Sequence, residues 1–195
     1  WSAAWEAQAL LRARPVAGSP PLQDDFVALI DPVRYPAGGV PQKDLVEMRR
    51  LKARMEAERL PRGADPALHL KLGRGGLSDV EWVAQLQQLQ HAHEHEELRT
   101  TRTLPALEQA TLLGFIDDAD RDRLTAAWRL ASSIRDAIML SSGRAGDSVP
   151  SDYRTLARVA YLLSYPPDDG GAMPEDYRRL TRRARQVMER LFYDI

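Results

Sequence analysis

The sequence predicts a mainly α-helical protein, a multi-helix bundle with at most one short β element near residues 68–72. Two observations carry this. Apolar residues recur at three- and four-residue spacing along most of the 195-residue chain, and only Leu68–Leu72 alternates with a period of two. A third, the 44% hydrophobic and 28% charged composition, supplies both a core and a solvated surface. Apolar runs are broken by Arg, Asp or Gln within a few residues, so no segment reads as a membrane span. No charged-then-apolar leader opens the chain. Cysteine is absent, which excludes disulfides and thiolate metal sites. The net charge of −1 gives no global attraction to nucleic acid or acidic lipid. The chain opens on Trp1, which reads as part of a longer protein.

Element by element, Trp1 to Arg14 reads as the end of a helix, with Trp5, Ala9 and Leu10 at helical spacing and Pro15 closing it. A Pro- and Gly-rich loop follows. Periodicity resumes with Phe26, Leu29, Ile30 and Val33 and stops at Pro36-Ala-Gly-Gly39. A long amphipathic helix is expected from about Pro41 to Leu60, with Leu45, Met48, Leu51 and Met55 inward and Arg49, Arg50, Arg54 and Glu58 outward. Pro61 and Gly63 end it. The strand signature at 68–72 leads into Gly73-Arg-Gly-Gly76, and Ser78 with Glu81 three residues on has the form of a capping box. The helix from Asp79 runs through Trp82, Val83, Leu86 and Leu89 to about His95. Thr103 is placed to cap a helix over 104–113, and Asp117 a long one carrying Leu124, Trp128, Ala131, Ile134 and Ile138. Helices near 151–164 and 174–193 complete the chain.

The most informative stretch is Leu70-Lys-Leu-Gly-Arg-Gly-Gly-Leu-Ser-Asp-Val-Glu-Trp-Val-Ala-Gln85. Gly75 and Gly76 permit positive φ and close backbone approach. Free N–H groups at the helix start would favour an anion there. Asp79 and Glu81 already neutralise that end; they could instead hold a metal ion or pair with an arginine. Taken without relatives, a turn and a capping box is the plainer reading.

The stretch resembles the Lys-x-x-x-Gly-Gly-x-x-Asp-x-Glu-(Phe/Trp)-x-x-Gln signature of bacterial glutamine synthetase adenylyltransferases; uridylyltransferases acting on the PII protein carry a looser version. Trp5-Glu-Ala-Gln-Ala-Leu-Leu-Arg-Ala-Arg14 is similar to the segment that closes that family's nucleotidyltransferase domain. Met48-Arg-Arg, Gln90-His-Ala-His and Leu98-Arg-Thr-Thr-Arg-Thr-Leu104 follow in family order, and Glu189-Arg-Leu-Phe-Tyr193 looks like the C-terminus of actinobacterial members. The resemblance implies a cytoplasmic, multifunctional enzyme that uses magnesium to transfer AMP from ATP to a tyrosine of glutamine synthetase, and whose other half removes it. The C-terminal position and the Gly-Gly-Leu-Ser-Asp-Val-Glu form point to the attaching half. Residues 1–60 would then close the nucleotidyltransferase palm, and 61–195 would form a C-terminal helical bundle. Lys71, Gly75, Gly76, Asp79 and Glu81 are expected near the active site, and Arg12 and Arg14 to meet phosphate or the partner protein. Glutamine synthetase is the expected partner, a PII-type signal protein a possible one, and no nucleic acid or membrane is expected. An alternative is a non-catalytic module that relays PII-type signals.

The chain departs from the family's catalytic pattern in one respect. Nucleotidyl transfer needs a Gly-Ser turn and then an Asp-x-Asp pair on a strand to hold metal. Gly18-Ser19 is followed by adjacent Asp24 and Asp25, whose side chains would face opposite ways on a strand. Asp118, Asp120 and Asp122 lie in a helical pattern, and a calcium loop there lacks its glycine and glutamate. The catalytic carboxylates are therefore expected upstream of Trp1. The piece alone is expected to be inactive, with no tightly bound ATP or magnesium and no assigned metal ligand. His91 and His95 share a helix face but lack a third ligand. Trp82 and Trp128 read as core residues. Arg178, Arg179, Arg182, Arg183 and Arg185 form either a docking surface or a solvated face.

Overall fold

The structure is a computed structural model that describes residues 4–166 and 169–193. Trp1, expected in the first helix, lies outside the described residues. Among these residues the helices are α1 (Ala4–Leu10), α2 (Pro20–Arg34), α3 (Gln42–Glu58), α4 (Leu77–His91), α5 (Thr103–Leu112), α6 (Asp118–Ser142), α7 (Tyr153–Leu162) and α8 (Ala172–Met188). A 3-10 turn covers Glu96–Leu98, and α8 runs into a π-helical turn at Glu189–Tyr193. The expected β element reduces to a single antiparallel bridge between His69 and Ser148. Two backbone bonds flank it, from Leu70 N–H to the Asp147 carbonyl (2.7 Å) and from Val149 N–H to the Leu68 carbonyl (2.9 Å). Alternation predicted a strand, but the Gly73 amide turns back to the His69 carbonyl at 3.0 Å, which ends the extended run at once.

The residues gather into two compact units that interleave along the chain: one comprises residues 1–54 and 81–121, the other 55–80 and 122–195. In the first, α1 packs against α2. Arg34, at the end of α2, donates to the Ala13 carbonyl at 2.9 Å and is held by Asp31 at 2.7 Å, so it closes the backbone beyond α1. Gly39 has φ +75, and a Cβ there would stand 2.7 Å from the Gln90 carbonyl oxygen, so only glycine lets this loop meet the last turn of α4. The same loop bonds Val40 N–H to the Leu89 carbonyl at 3.2 Å. On α3, Leu45 and Met48 are buried as expected; Lys52 joins them at 2% exposure, its ammonium 5.9 Å from the centre of the Trp82 ring.

The second unit has a core of Leu70, Leu77, Ala131, Ile134, Ile138, Val149, Val159, Met173 and Tyr177, with Trp128 half-buried beside it. Each fully buried large aliphatic chain contributes about 1.5–3 kcal/mol. Asp117 accepts from Asp120 N–H at 2.7 Å, the expected cap of α6, and Asp152 caps α7 by accepting from Thr155 N–H at 2.9 Å.

Three helix starts and ends differ from expectation. α4 begins at Leu77, so Ser78 lies inside the helix and is not its cap. It ends at His91 rather than His95, where the chain turns before the Glu96–Leu98 segment. Thr103 is the first residue of α5 and not its cap, which is Arg102.

Candidate functional site

The glycine turn and the start of α4 belong to the second unit. The helix-start donors there are satisfied by backbone: Leu77 N–H reaches the Leu70 carbonyl (2.9 Å), Ser78 N–H that of Lys71 (3.0 Å), and the Asp79 and Val80 amides that of Gly76 (3.1 and 3.3 Å). A phosphate at this helix start would have to displace those bonds, so the turn is built as a closed joint. Gly75, at φ +74, donates to Asp79 Oδ2 at 2.7 Å, and a Cβ on it would come within 1.9 Å of the Thr181 carbonyl oxygen of α8. A Cβ on Gly76 would stand 2.7 Å from the Leu70 carbonyl oxygen. Lys71 is exposed; its carbonyl, not its ammonium, takes part in the turn.

Asp79 is 1% exposed. Arg185 of α8 donates to its Oδ2 at 3.1 Å, to Glu56 at 3.0 Å and, through Nε, to Glu189 at 2.8 Å. Tyr193 also donates to Glu56, at 3.2 Å. Burial works against the Arg185 charge, but the bond to Glu189 and the charges of Asp79 and Glu56 hold its pKa above the ordinary value. Tyr177 donates to the His69 carbonyl at 3.2 Å, and burial, then the charge of Asp79, pushes its phenol pKa well up. Of the two roles open to Asp79, metal ligand or arginine partner, this geometry is that of the second. Arg185 thereby separates from the other C-terminal arginines: Arg178, Arg179 and Arg182 pair along their own helix with Glu175 or Asp176, on a solvated face.

Glu81 belongs to the first unit. From Leu77 to Leu89 it is the one residue of α4 that is not buried. Arg12 Nη2 pairs with Glu81 Oε1 at 2.7 Å, with side chains 44% and 28% exposed. Gln85 donates to Glu81 at 3.2 Å and accepts from Gln8 at 2.7 Å. Arg12 also donates to the Thr101 carbonyl at 2.7 Å and lies 3.5 Å from the Thr103 hydroxyl. Gln88, one turn along α4 from Gln85, fixes that segment by donating to the Leu98 and Thr100 carbonyls, both at 2.7 Å. Parts of three segments singled out in the sequence, at residues 5–14, 81–85 and 98–104, thus meet through polar contacts in one unit. Arg14 is exposed.

Two residues apart on an α-helix, side chains point about 200° away from each other. Asp79 and Glu81 therefore cannot share an ion, and each has its own arginine. Asp24 and Asp25 lie exposed on α2, a helix rather than a strand. His91 stacks on Phe115 at 3.7 Å between centroids, and His95 meets the same ring edge-on at 5.3 Å. Burial, then the neighbouring His95 and His93, lowers the His91 pKa. Among the described residues no group of three or more His, Asp or Glu side chains is arranged to hold a metal ion.

The profile of the GlnD PII-uridylyltransferase family matches residues 47–193. The chain belongs to this family. The resemblance read from the motifs holds across nearly the whole chain. It is 58% identical over 193 residues to a bifunctional glutamine synthetase adenylyltransferase/adenylyl-removing enzyme of Streptomyces avermitilis, covering 99% of this chain and 19% of that protein. Proteins of the same description from Leifsonia xyli subsp. xyli (56% identical over 193 residues; 99% of this chain, 19% of theirs) and Mycobacterium leprae (47% over 192; 98% and 19%) match likewise. The chain therefore spans about a fifth of the length of these relatives. No described helix is long and apolar enough to cross a membrane.

What sequence reasoning missed is how the residues pair. Gln8, Gln85 and Gln88 signal themselves as buried amides in otherwise apolar helical stretches. Arg185 and Glu56 carry no such signal, since Glu56 is 129 residues away in the chain.

Proposed function

We propose that this chain is the C-terminal helical part of an enzyme that transfers AMP from ATP to a tyrosine of glutamine synthetase and, through its other half, removes it. In this reading residues 1–60 lie against the catalytic palm and 61–195 form the bundle that follows it. The observation that carries the reading is the Arg12–Glu81–Gln85–Gln8 cluster. It joins the segment that resembles the end of a nucleotidyltransferase domain to the Asp-x-Glu-x-x-x-Gln segment, and it is half-open to solvent where the Asp79 node is closed. Kinship with glutamine synthetase adenylyltransferase/adenylyl-removing enzymes supports the substrate and the reaction.

Arg12 and Glu81 act here by position: the ion pair fixes the exit of α1 on α4, and a catalytic domain preceding α1 would take its orientation from it. Asp79 and Glu81 are not a magnesium-holding pair in this reading, because Asp79 is held by Arg185 and Glu81 faces away from Asp79. We therefore place ATP and magnesium on the remainder of the longer polypeptide and expect this piece alone to be inactive. A cytoplasmic location follows from ATP and glutamine synthetase as substrates. Lys71, Gly75 and Gly76 then serve the joint at the start of α4, and Arg14 remains available to phosphate or partner.

The test is Glu81→Gln and Arg12→Ala in the full-length polypeptide, assayed for AMP incorporation into glutamine synthetase. Loss of about tenfold or more in kcat/KM, with the fold retained, is expected for a pair that orients the reacting domain. Unchanged transfer with an altered response to a PII-type protein would instead select the regulatory-module reading, to which the family's PII description lends its weight.

A further inference from the structure

We propose that the outward face of α2, formed by Leu22, Phe26 and Leu29, is an interface covered by the rest of the longer polypeptide. The helix has more apolar surface than this chain covers. At about 100° per residue, Leu22, Phe26, Leu29 and Val33 fall within an arc of roughly 60°, and Val27, Ile30 and Arg34 occupy the arc beside it. The second arc is turned inward, with Ile30 6% and Arg34 8% exposed. The first is open: Leu22 is 62% exposed, Phe26 37% and Leu29 74%. Asp24 and Asp31 occupy the opposite side and Asp25 borders the row beyond Leu29, while on the side of Ile30 the open arc continues the buried one without a polar break. Trp5 is 53% exposed on α1, the helix that packs against α2.

Single exposed leucines need no explanation, but a helix-spaced row beside a buried stripe has the form of an interface core with an acidic rim. The occupant follows from chain length. The relatives match this chain along nearly all of its length, yet 19% of their own length accounts for the match, which leaves most of each polypeptide to supply the covering surface. A cover within the same polypeptide also explains why the row carries no charge that would keep a free surface soluble. The inference deepens the functional reading and rests on this chain being part of a longer protein.

The test is side-chain footprinting with a photoreactive carbene, read by mass spectrometry, on the 195-residue chain and on the full-length polypeptide. Labelling of Leu22, Phe26 and Leu29 should be roughly fivefold lower in the full-length protein, in keeping with their loss of solvent contact. Leu29→Glu should leave the melting temperature of the 195-residue chain unchanged and restore labelling of Leu22 and Phe26 in the full-length protein. Equal labelling in both proteins overturns the proposal. So does concentration-dependent protection in the 195-residue chain, which would make the occupant a second copy. The readout involves no chemistry, so it separates from the functional reading: an active enzyme with an open row sinks this inference alone, and a covered row in a protein without transferase activity sinks only the other.

Discussion

Asp79 and Glu81 stand two residues apart on one helix, both acidic and both paired with arginine, yet they belong to different units and different environments. Asp79 is buried and held by a guanidinium that two further carboxylates share. Glu81 keeps water on one side and a single exposed arginine on the other. A buried charge must be compensated where it stands, so the first pair is tied to folding; a half-solvated pair costs little to break and is open to a second role. Burial, and not residue type, separates the structural carboxylate from the candidate functional one.

The sharpest way to break the Asp79 side is through its glycine. Gly75→Ala sets a Cβ against the Thr181 carbonyl at a φ that L-residues rarely adopt, and it should cost on the order of 4 kcal/mol or more, read as a collapse of the denaturation midpoint. Arg185→Ala comes next: it takes the guanidinium away from the buried Asp79, for about 3–5 kcal/mol. The double variant Asp79→Leu, Arg185→Met should recover part of that loss, because the most deeply buried carboxylate leaves with its partner while Glu56 and Glu189 still lose theirs. If the double variant is no better than Arg185→Ala, compensation is not what holds the joint. On the other side of the comparison, Glu81→Gln should change stability by less than about 1 kcal/mol, since solvent screens the pair. A stability loss as large as that of Arg185→Ala would erase the distinction between the two carboxylates.

The smallest effect concerns His91, whose folded-state pKa lies below the ordinary 6.5. The unfolded chain then binds the proton more readily than the folded one. Stability contributed by this group is complete above about pH 6.5 and declines as pH falls below it toward the lowered pKa. His91→Phe keeps the ring stack on Phe115 and should flatten that part of the stability–pH curve; an unaltered slope would assign it to other groups.

Legibility in the sequence followed the range of the interactions. The amphipathic stripes of α3 and α6 were readable because helical periodicity is local, and the Asp117 cap because it spans three residues. The capping box at Ser78 misled because Leu70 and Lys71 supply carbonyls to the helix start from the preceding turn, which no local motif encodes. The β element at 68–72 is present but shorter than alternation alone suggests, for a related reason: among the described residues its bridge partner is Ser148, and the following glycines turn the chain away.

By itself, then, the sequence determined a helical protein, the order of its elements, the glycine joint before α4 and, through motif order, the family. Tertiary structure alone decided that Asp79 belongs to Arg185 and Glu81 to Arg12, that Lys71 points to water, and that α2 offers an uncovered apolar row. Periodicity and capping are written into neighbouring residues, whereas the pairing of a charge depends on which distant segment the fold brings to it and on how much water that approach removes.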